Sequence, residues 1–228
     1  MNDTTGDFSI DGVSGCSSII TLDFLHPGGS RNGKILPTGH VTEPVDGVEV
    51  SCVDAGNPVV FTQTKSLGID EPLLPDATLE RPQLLQRIER NWQEAALRMG
   101  LVKLRKQVPL TIPKVGPVRT PTSGKLLSGL QHPADIDIVT RVMSDKQPHR
   151  ASPLTAIICT AAAATLEGSI VERCLRKSTI SSDYITIGHA SGNPQAMASL
   201  DSTGQVDSVA VLRTARKLME GQVFYPGT

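Results

Sequence analysis

Aromatic side chains are nearly missing from this chain: four Phe, two Tyr and one Trp make up 3% of 228 residues. That is too few for the stacked platforms that hold single-stranded nucleic acid, or for aromatic sugar sites. Net charge is as scarce. Lys and Arg number 22 against 23 Asp and Glu, a formal charge of −1. There is no basic footprint for a polyanion, which argues against nucleic acid as a partner. No run of ~18 apolar residues occurs, so no membrane span is expected. The opening MNDTTGDFSIDG lacks the basic run and apolar core of a secretory leader.

Cysteine pairs at metal-binding spacing are also absent. Cys16, Cys52, Cys159 and Cys174 form no CxxC, and the histidines at 26, 40, 132, 149 and 189 are dispersed. No metal site is expected, and reduced thiols in a cytoplasmic protein are the default. The phosphate-cradling GxGxxG and GxxxxGK[ST] are missing, as are GxSxG, HExxH and DxDxDG. Motif counting alone assigns no chemistry.

What is present is a globular composition, 39% hydrophobic and 20% charged, with an aliphatic core. A chain of this length buries ~70% of its unfolded surface. Short extended segments dominate, bounded by Gly, Pro, Asn and Asp. Strands are predicted at Ile19 to Phe24, in the ILPTG phrase after Asn32-Gly33, at Val48 to Val53 and at Val59 to Thr62. Further ones fall in VPLTIPKV, at Asp135 to Met143, Tyr184 to Ile187, Gln195 to Leu200 and Val206 to Leu212, with a last apolar run beginning at Val223.

Two helices stand out. Leu84, Leu85, Ile88, Trp92, Ala95, Ala96 and Met99 recur at helical spacing ahead of Gly100, with charges on the other face. Trp92 belongs to that helix's core face, and Lys103, Arg105 and Lys106 beyond it read as a solvated face. The second helix is Ser152 to Gly168, SPLTAIICTAAAATLEG, with Ser152 as cap, Pro153 at the first helical position and Gly168 at the end. It has no polar face, so it must be buried on all sides, which implies a helix wrapped by a curved sheet. The first N–H groups of such a helix need partners, and an anion or a cap with water would serve.

Three elements suit the holding of carboxylates by neutral donors. The DAGNP loop offers Asn57, the start of the apolar helix offers Ser152 to Thr155, and GHASGN offers His189, Ser191 and the amide of Gly192. Each alone reads more readily as a turn or cap, and only their convergence would make a site.

At these residues the chain resembles the PrpF family of methylaconitate and methylitaconate isomerases. The phrases IDGVSG, ILPTG, VSCVDAGNPVVF, HRASPLTAIICTAAAA, GHASG and VLRTARKLMEGQV match in order from about residue 7 to residue 226. The resemblance implies an α+β, diaminopimelate epimerase-like fold: a curved mixed sheet around a central apolar helix, here one full domain plus strands of an incomplete second one. It implies residues 1–40 as remnant strands of the first domain, 41–208 as the second epimerase-like domain and 209–228 as a strand returning to the remnant. Ile19, Ile20, Leu22, Val209, Val211 and Val223 would then expose apolar side chains.

The activity implied is a double-bond shift by proton transfer in a small alkylated tri- or dicarboxylate, without cofactor or metal. The substrate-binding residues carried over are Asn57, Thr155, His189, Ser191 and Gly192, with Ala190 where the family usually has Pro. Catalytic residues stay unassigned. The family's acid/base Lys and Cys lie in a domain before the IDGVSG-like phrase, and Cys16, Cys52 and Cys159 do not occupy that position. A second copy of the chain, or another chain supplying the missing domain, is the expected protein partner. The alternative is a carboxylate-binding remnant that is inactive or partner-dependent.

Overall fold

The computed structural model describes residues 6–176, 184–215, 219–222 and 224. Its first half carries β1 (Ile19–Leu25), β2 (Glu43–Val45), β3 (Val48–Ala55) and β4 (Asn57–Gln63), then helices α1 (Pro75–Leu79) and α2 (Pro82–Arg98). Six short strands follow: β5 (Lys114–Arg119), β6 (Gly124–Leu126), β7 (Gly129–Gln131), β8 (Ile138–Thr140), β9 (Met143–Ser144) and β10 (Gln147–Pro148). Helices α3 (Leu154–Ala164) and α4 (Ile170–Cys174) precede β11 (Ile185–Gly188), β12 (Gln195–Leu200) and β13 (Val206–Thr214).

The architecture is α+β with a mixed sheet. Eleven strands join in one sheet, whose main path runs β1-β13-β12-β11-β8-β5-β4-β3-β2, while β6 and β7 pair separately. The neighbours β4/β5 and β8/β11 are parallel, and the rest of the path is antiparallel. β1 lies along β13 from Ile19↔Thr214 to Leu25↔Ser208, so the early chain is held by the late chain.

Two cores form on the sheet. One packs α2 through Leu84, Ile88, Trp92, Ala95 and Met99 against Val50, Cys52, Val60 and Val115. The indole of Trp92 is buried and donates Nε1–H to the Pro113 carbonyl at 2.8 Å, so it is core as its spacing predicts. Gly100 follows the helix at φ +69, a left-handed stop.

The other core surrounds α3. Every residue from Ala156 to Ala163 is buried, and the helix packs on β3, β4, β12 and β13 and on α4. Its boundaries are tighter than predicted. The capping position is Pro153, without a side-chain cap, while Ser152 Oγ is buried with no hydrogen-bond partner. Thr165 ends the helix, and Gly168, at φ +78, turns the chain into α4.

Other expectations change as well. The ILPTG phrase forms turns, tied to the sheet by a single Asp54 N–H to Ile35 carbonyl bond at 2.9 Å. The predicted strand from Asp135 to Met143 breaks into β8 and β9, because Arg141 between them turns its guanidinium back onto the Leu73, Thr140 and Gly188 carbonyls. Ile19, Ile20 and Leu22 are exposed on β1, as the resemblance implied. Val209 and Val211 are instead fully buried, since their face of β13 packs on α3. Val223 lies outside the described residues. Among those residues, no helix is long and apolar enough to cross a membrane.

Candidate functional site

β3 and β4 meet in a hairpin so tight that Ala55 pairs with Asn57 across Gly56, which sits at φ +71. A side chain would be strained at that φ, while a Cβ would meet Ile158 of α3 at ordinary contact distance, 3.4 Å. Glycine therefore lets the hairpin turn this tightly, with Ile158 of the helix directly against its tip. The consequence is a bond that spans 98 positions: Asn57 Nδ2 donates to Thr155 Oγ1 at 3.2 Å in the first turn of α3. Both side chains are half-buried.

The tip is braced from behind by residues that the sequence reading did not single out. Asp54 is fully buried and its carboxylate accepts the Ser30 hydroxyl at 2.5 Å and the Arg31 N–H at 2.7 Å. Its backbone carbonyl accepts the Gly29 N–H at 2.7 Å, and the Pro27 carbonyl accepts Gly56 N–H at 2.8 Å. The segment from Pro27 to Ile35 is thereby laced onto the hairpin. The signal available was the acidic residue inside an otherwise apolar strand, VSCVDA, which requires donors wherever it is buried.

The GHASGN loop follows β11 directly. His189 and Gly192 form a bridge, with the His189 N–H to the Gly192 carbonyl at 2.9 Å and the return bond at 3.4 Å. Ser191 N–H donates to His189 Nδ1 at 3.0 Å. A backbone amide can only donate, so Nδ1 is the bare nitrogen and the neutral ring carries its proton on Nε2. The ring is buried, and burial, then the charges of Arg141 and Arg213, push its pKa down to about 4. At neutral pH His189 is thus an uncharged N–H donor.

Ser191 Oγ donates to the Arg150 carbonyl at 2.6 Å, five positions before Thr155. The structure therefore joins Asn57 to Thr155 directly, and ties the GHASGN loop to the segment leading into the same helix. Ser191 makes its bond to that segment and not to Asn57 or Thr155. Gly192 stands against Asp11, where a Cβ would fall 2.2 Å from the Asp11 Cβ, and Asn193 N–H donates to Asp11 Oδ2 at 2.8 Å. Gln131 Nε2 holds Asn193 Oδ1 from the other side at 2.6 Å. Asp11 is a second residue the sequence reading passed over, because nothing local links it to a loop 182 positions away.

Cys52, Cys159 and Cys174 are buried, and burial raises all three thiol pKa values. None of them is a thiolate at neutral pH, so none is poised as a base or nucleophile. Cys16 is exposed. Among the described residues, no group of three or more His, Cys, Asp or Glu could hold a metal ion. The Asn57 amide and the Thr155 hydroxyl, side by side at a helix start, are neutral hydrogen-bonding groups of the kind that can hold an anion, whereas Ser191 spends its hydroxyl on Arg150 and its N–H on His189.

The family model described as PrpF protein matches residues 2–226. The chain is 31% identical to 3-methylitaconate isomerase of Eubacterium barkeri over 96% of its own length and 60% of that protein. It is 30% identical to 2-methyl-aconitate isomerase of Cupriavidus necator, covering 98% of this chain and 59% of the relative. A crystal structure of methylitaconate-delta-isomerase superposes with a TM-score of 0.89 at 30% identity, over 97% of this chain and 59% of that one. The chain thus spans about six tenths of the length of these relatives.

Proposed function

The chain belongs to the PrpF family, and we propose on that premise that it serves an isomerase which shifts a double bond in a small alkylated tri- or dicarboxylate by proton transfer. No cofactor enters this reading. Asn57, Thr155, His189, Ser191 and Gly192 form its substrate-binding side. The observation that carries it is the Asn57–Thr155 bond, which brings a hairpin tip and a helix start together with their amide and hydroxyl groups adjacent. Moving a double bond this way requires removal of a proton beside a carboxylate and stabilisation of an enolate-like charge. Asn57 and His189 supply uncharged donors for that charge.

The fold in this reading is diaminopimelate epimerase-like, a curved sheet around the apolar helix, with residues 41–208 as one domain and 1–40 and 209–228 as strands of another. Burial of Ala156 to Ala163 among β3, β4, β12 and β13 supports it. The exposed Ile19, Ile20, Leu22 and Leu25 on β1 support an apolar covering from a second copy or another chain.

A second reading, a carboxylate-binding chain without turnover of its own, is favoured by the raised thiol pKa values and the low pKa of His189. Incubation with an alkylated itaconate or aconitate in heavy water, followed by proton NMR, tests both. Migration of the alkene signals with deuterium uptake supports the isomerase. Saturable binding without migration supports the second reading, and absence of both removes the carboxylate site.

A further inference from the structure

Strands β6 and β7 stand apart from the main sheet as a hairpin that turns at Leu127 and Ser128. The hairpin meets the loop that carries His189, Ser191 and Gly192 at both ends and in the middle. At the near end, Gln131 of β7 is 2% exposed and its amide lies on Gly188, where a Cβ would fall 2.4 Å from Nε2 and 2.9 Å from Cδ. In the middle, the Leu127 N–H donates to the Ala190 carbonyl at 2.8 Å. At the far end, Gln131 Nε2 donates to Asn193 Oδ1 at 2.6 Å. Among the described residues, that is the only hydrogen bond of the Gln131 side chain.

This contact accounts for a glycine that turn geometry does not require. Gly188 is the last residue of β11, paired with Val139, and its φ is negative. A glycine inside a strand marks a place where another group approaches the backbone closely. Here the group is the Gln131 amide, which any side chain at 188 would displace. The loop's own pairing is loose by comparison, since the Gly192 N–H reaches the His189 carbonyl only at 3.4 Å. The backbone on either side of His189 is thus set by one buried amide from a separate hairpin.

We propose that Gln131 is a positioning residue for the candidate substrate loop, and that the β6–β7 hairpin clamps residues 188–193 to hold His189 and Ser191 in their binding geometry. What the loop is held for rests on the carboxylate-binding reading above, whereas the clamp rests on the geometry. Binding groups act with precision when packing and hydrogen bonds behind them lock their positions. A released loop would also let water reach the His189 ring, which burial, then the charges of Arg141 and Arg213, now hold neutral.

The test is a double-mutant cycle on the whole chain with Gln131→Ala and Gly188→Ala. Itaconate affinity is read by calorimetry, and the titration of the His189 ring by NMR of its nitrogens, where every variant is folded. Either single substitution should weaken itaconate binding ~10-fold or more. Each should also move the His189 titration up from about 4 toward 6.5. In the Gln131→Ala background, Gly188→Ala should cost nothing further, because the amide it would strike is gone. Full additivity of the two substitutions overturns the clamp, as does an unmoved ring titration. Failure of the unaltered chain to bind itaconate removes the carboxylate reading and leaves the ring titration to judge the clamp. If the variants do not fold, native-state hydrogen exchange of the unaltered chain decides. Exchange of the His189 and Leu127 amides through one common opening supports the clamp, and opening of His189 while Leu127 stays protected overturns it.

Discussion

The carboxylate of Asp11 accepts the backbone N–H of Asn193 at 2.8 Å, fixing the loop that carries His189 from a position 182 residues earlier. The carboxylate is exposed and the loop is short, so the bond governs local opening more than global stability. Asp11→Ala should accelerate amide exchange at Asn193 while leaving Tm nearly unchanged. Unaltered exchange at that amide would show that Gln131 and the His189–Gly192 bridge hold the loop without it.

Removing the Asn57 side chain separates binding from folding. Its bond to Thr155 is half-buried and neutral, worth about 1 kcal/mol to stability. A hydrogen bond to a ligand carboxylate is worth ~1.5–3 kcal/mol, which corresponds to a loss of ~10-fold or more in affinity. Asn57→Ala is therefore expected to cost more in dicarboxylate binding by calorimetry than in urea unfolding. A larger cost in unfolding, with affinity unchanged, would make Asn57 a structural residue only.

His189 makes stability fall on the acid side of neutrality. Its pKa drops from 6.5 to about 4 on folding, so the unfolded chain binds the proton more readily. The contribution is complete above pH 6.5 and is lost as pH falls from there toward about 4. Linkage gives a loss of about 2 kcal/mol between pH 7 and pH 5. His149, also lowered, adds in the same direction. Urea unfolding at the two pH values should show this decline, and His189→Gln should flatten most of it. An equally steep decline in His189→Gln would place the titration elsewhere.

A charge inside the α3 core should not be tolerated. Ile158 is 1% exposed and packs beneath the hairpin tip. Ile158→Ala is expected to cost ~2–5 kcal/mol in chemical denaturation, by lost burial and the cavity left behind. Ile158→Asp should leave no cooperative transition, since it buries a charge without a partner. A near-native Tm for the Ile158→Asp variant would contradict the packing described.

Much of this was legible from the residues because it is local. Helix α2 shows its buried face in the spacing from Leu84 to Met99, and α3 shows its burial in the run of small and aliphatic residues from Ala156 to Ala163. The GNP and GHASGN phrases announce turns through glycine and asparagine. What escaped is long-range. Ser152 looks like a cap by position, yet Pro153 takes the capping place and leaves its hydroxyl without a partner. The alternation from Asp135 to Met143 looks like one strand, but Arg141 interrupts it for contacts with residues 68 and 47 positions away. The Asp54 and Asp11 anchors depend on partners that no sequence window contains.

The pairing of β1 with β13 also sets an order of events during synthesis. Ser17 Oγ reaches the carbonyl of Ala215 at 2.8 Å, 198 positions away. At ~5–20 residues per second, a ribosome needs roughly 10–40 s to make the partner of the first strand. For that interval the backbone N–H and C=O groups of Ile19 to Leu25 have no strand beside them. Closing a loop of this length also slows the final docking step. The edge of β1 therefore stays open until translation reaches β13.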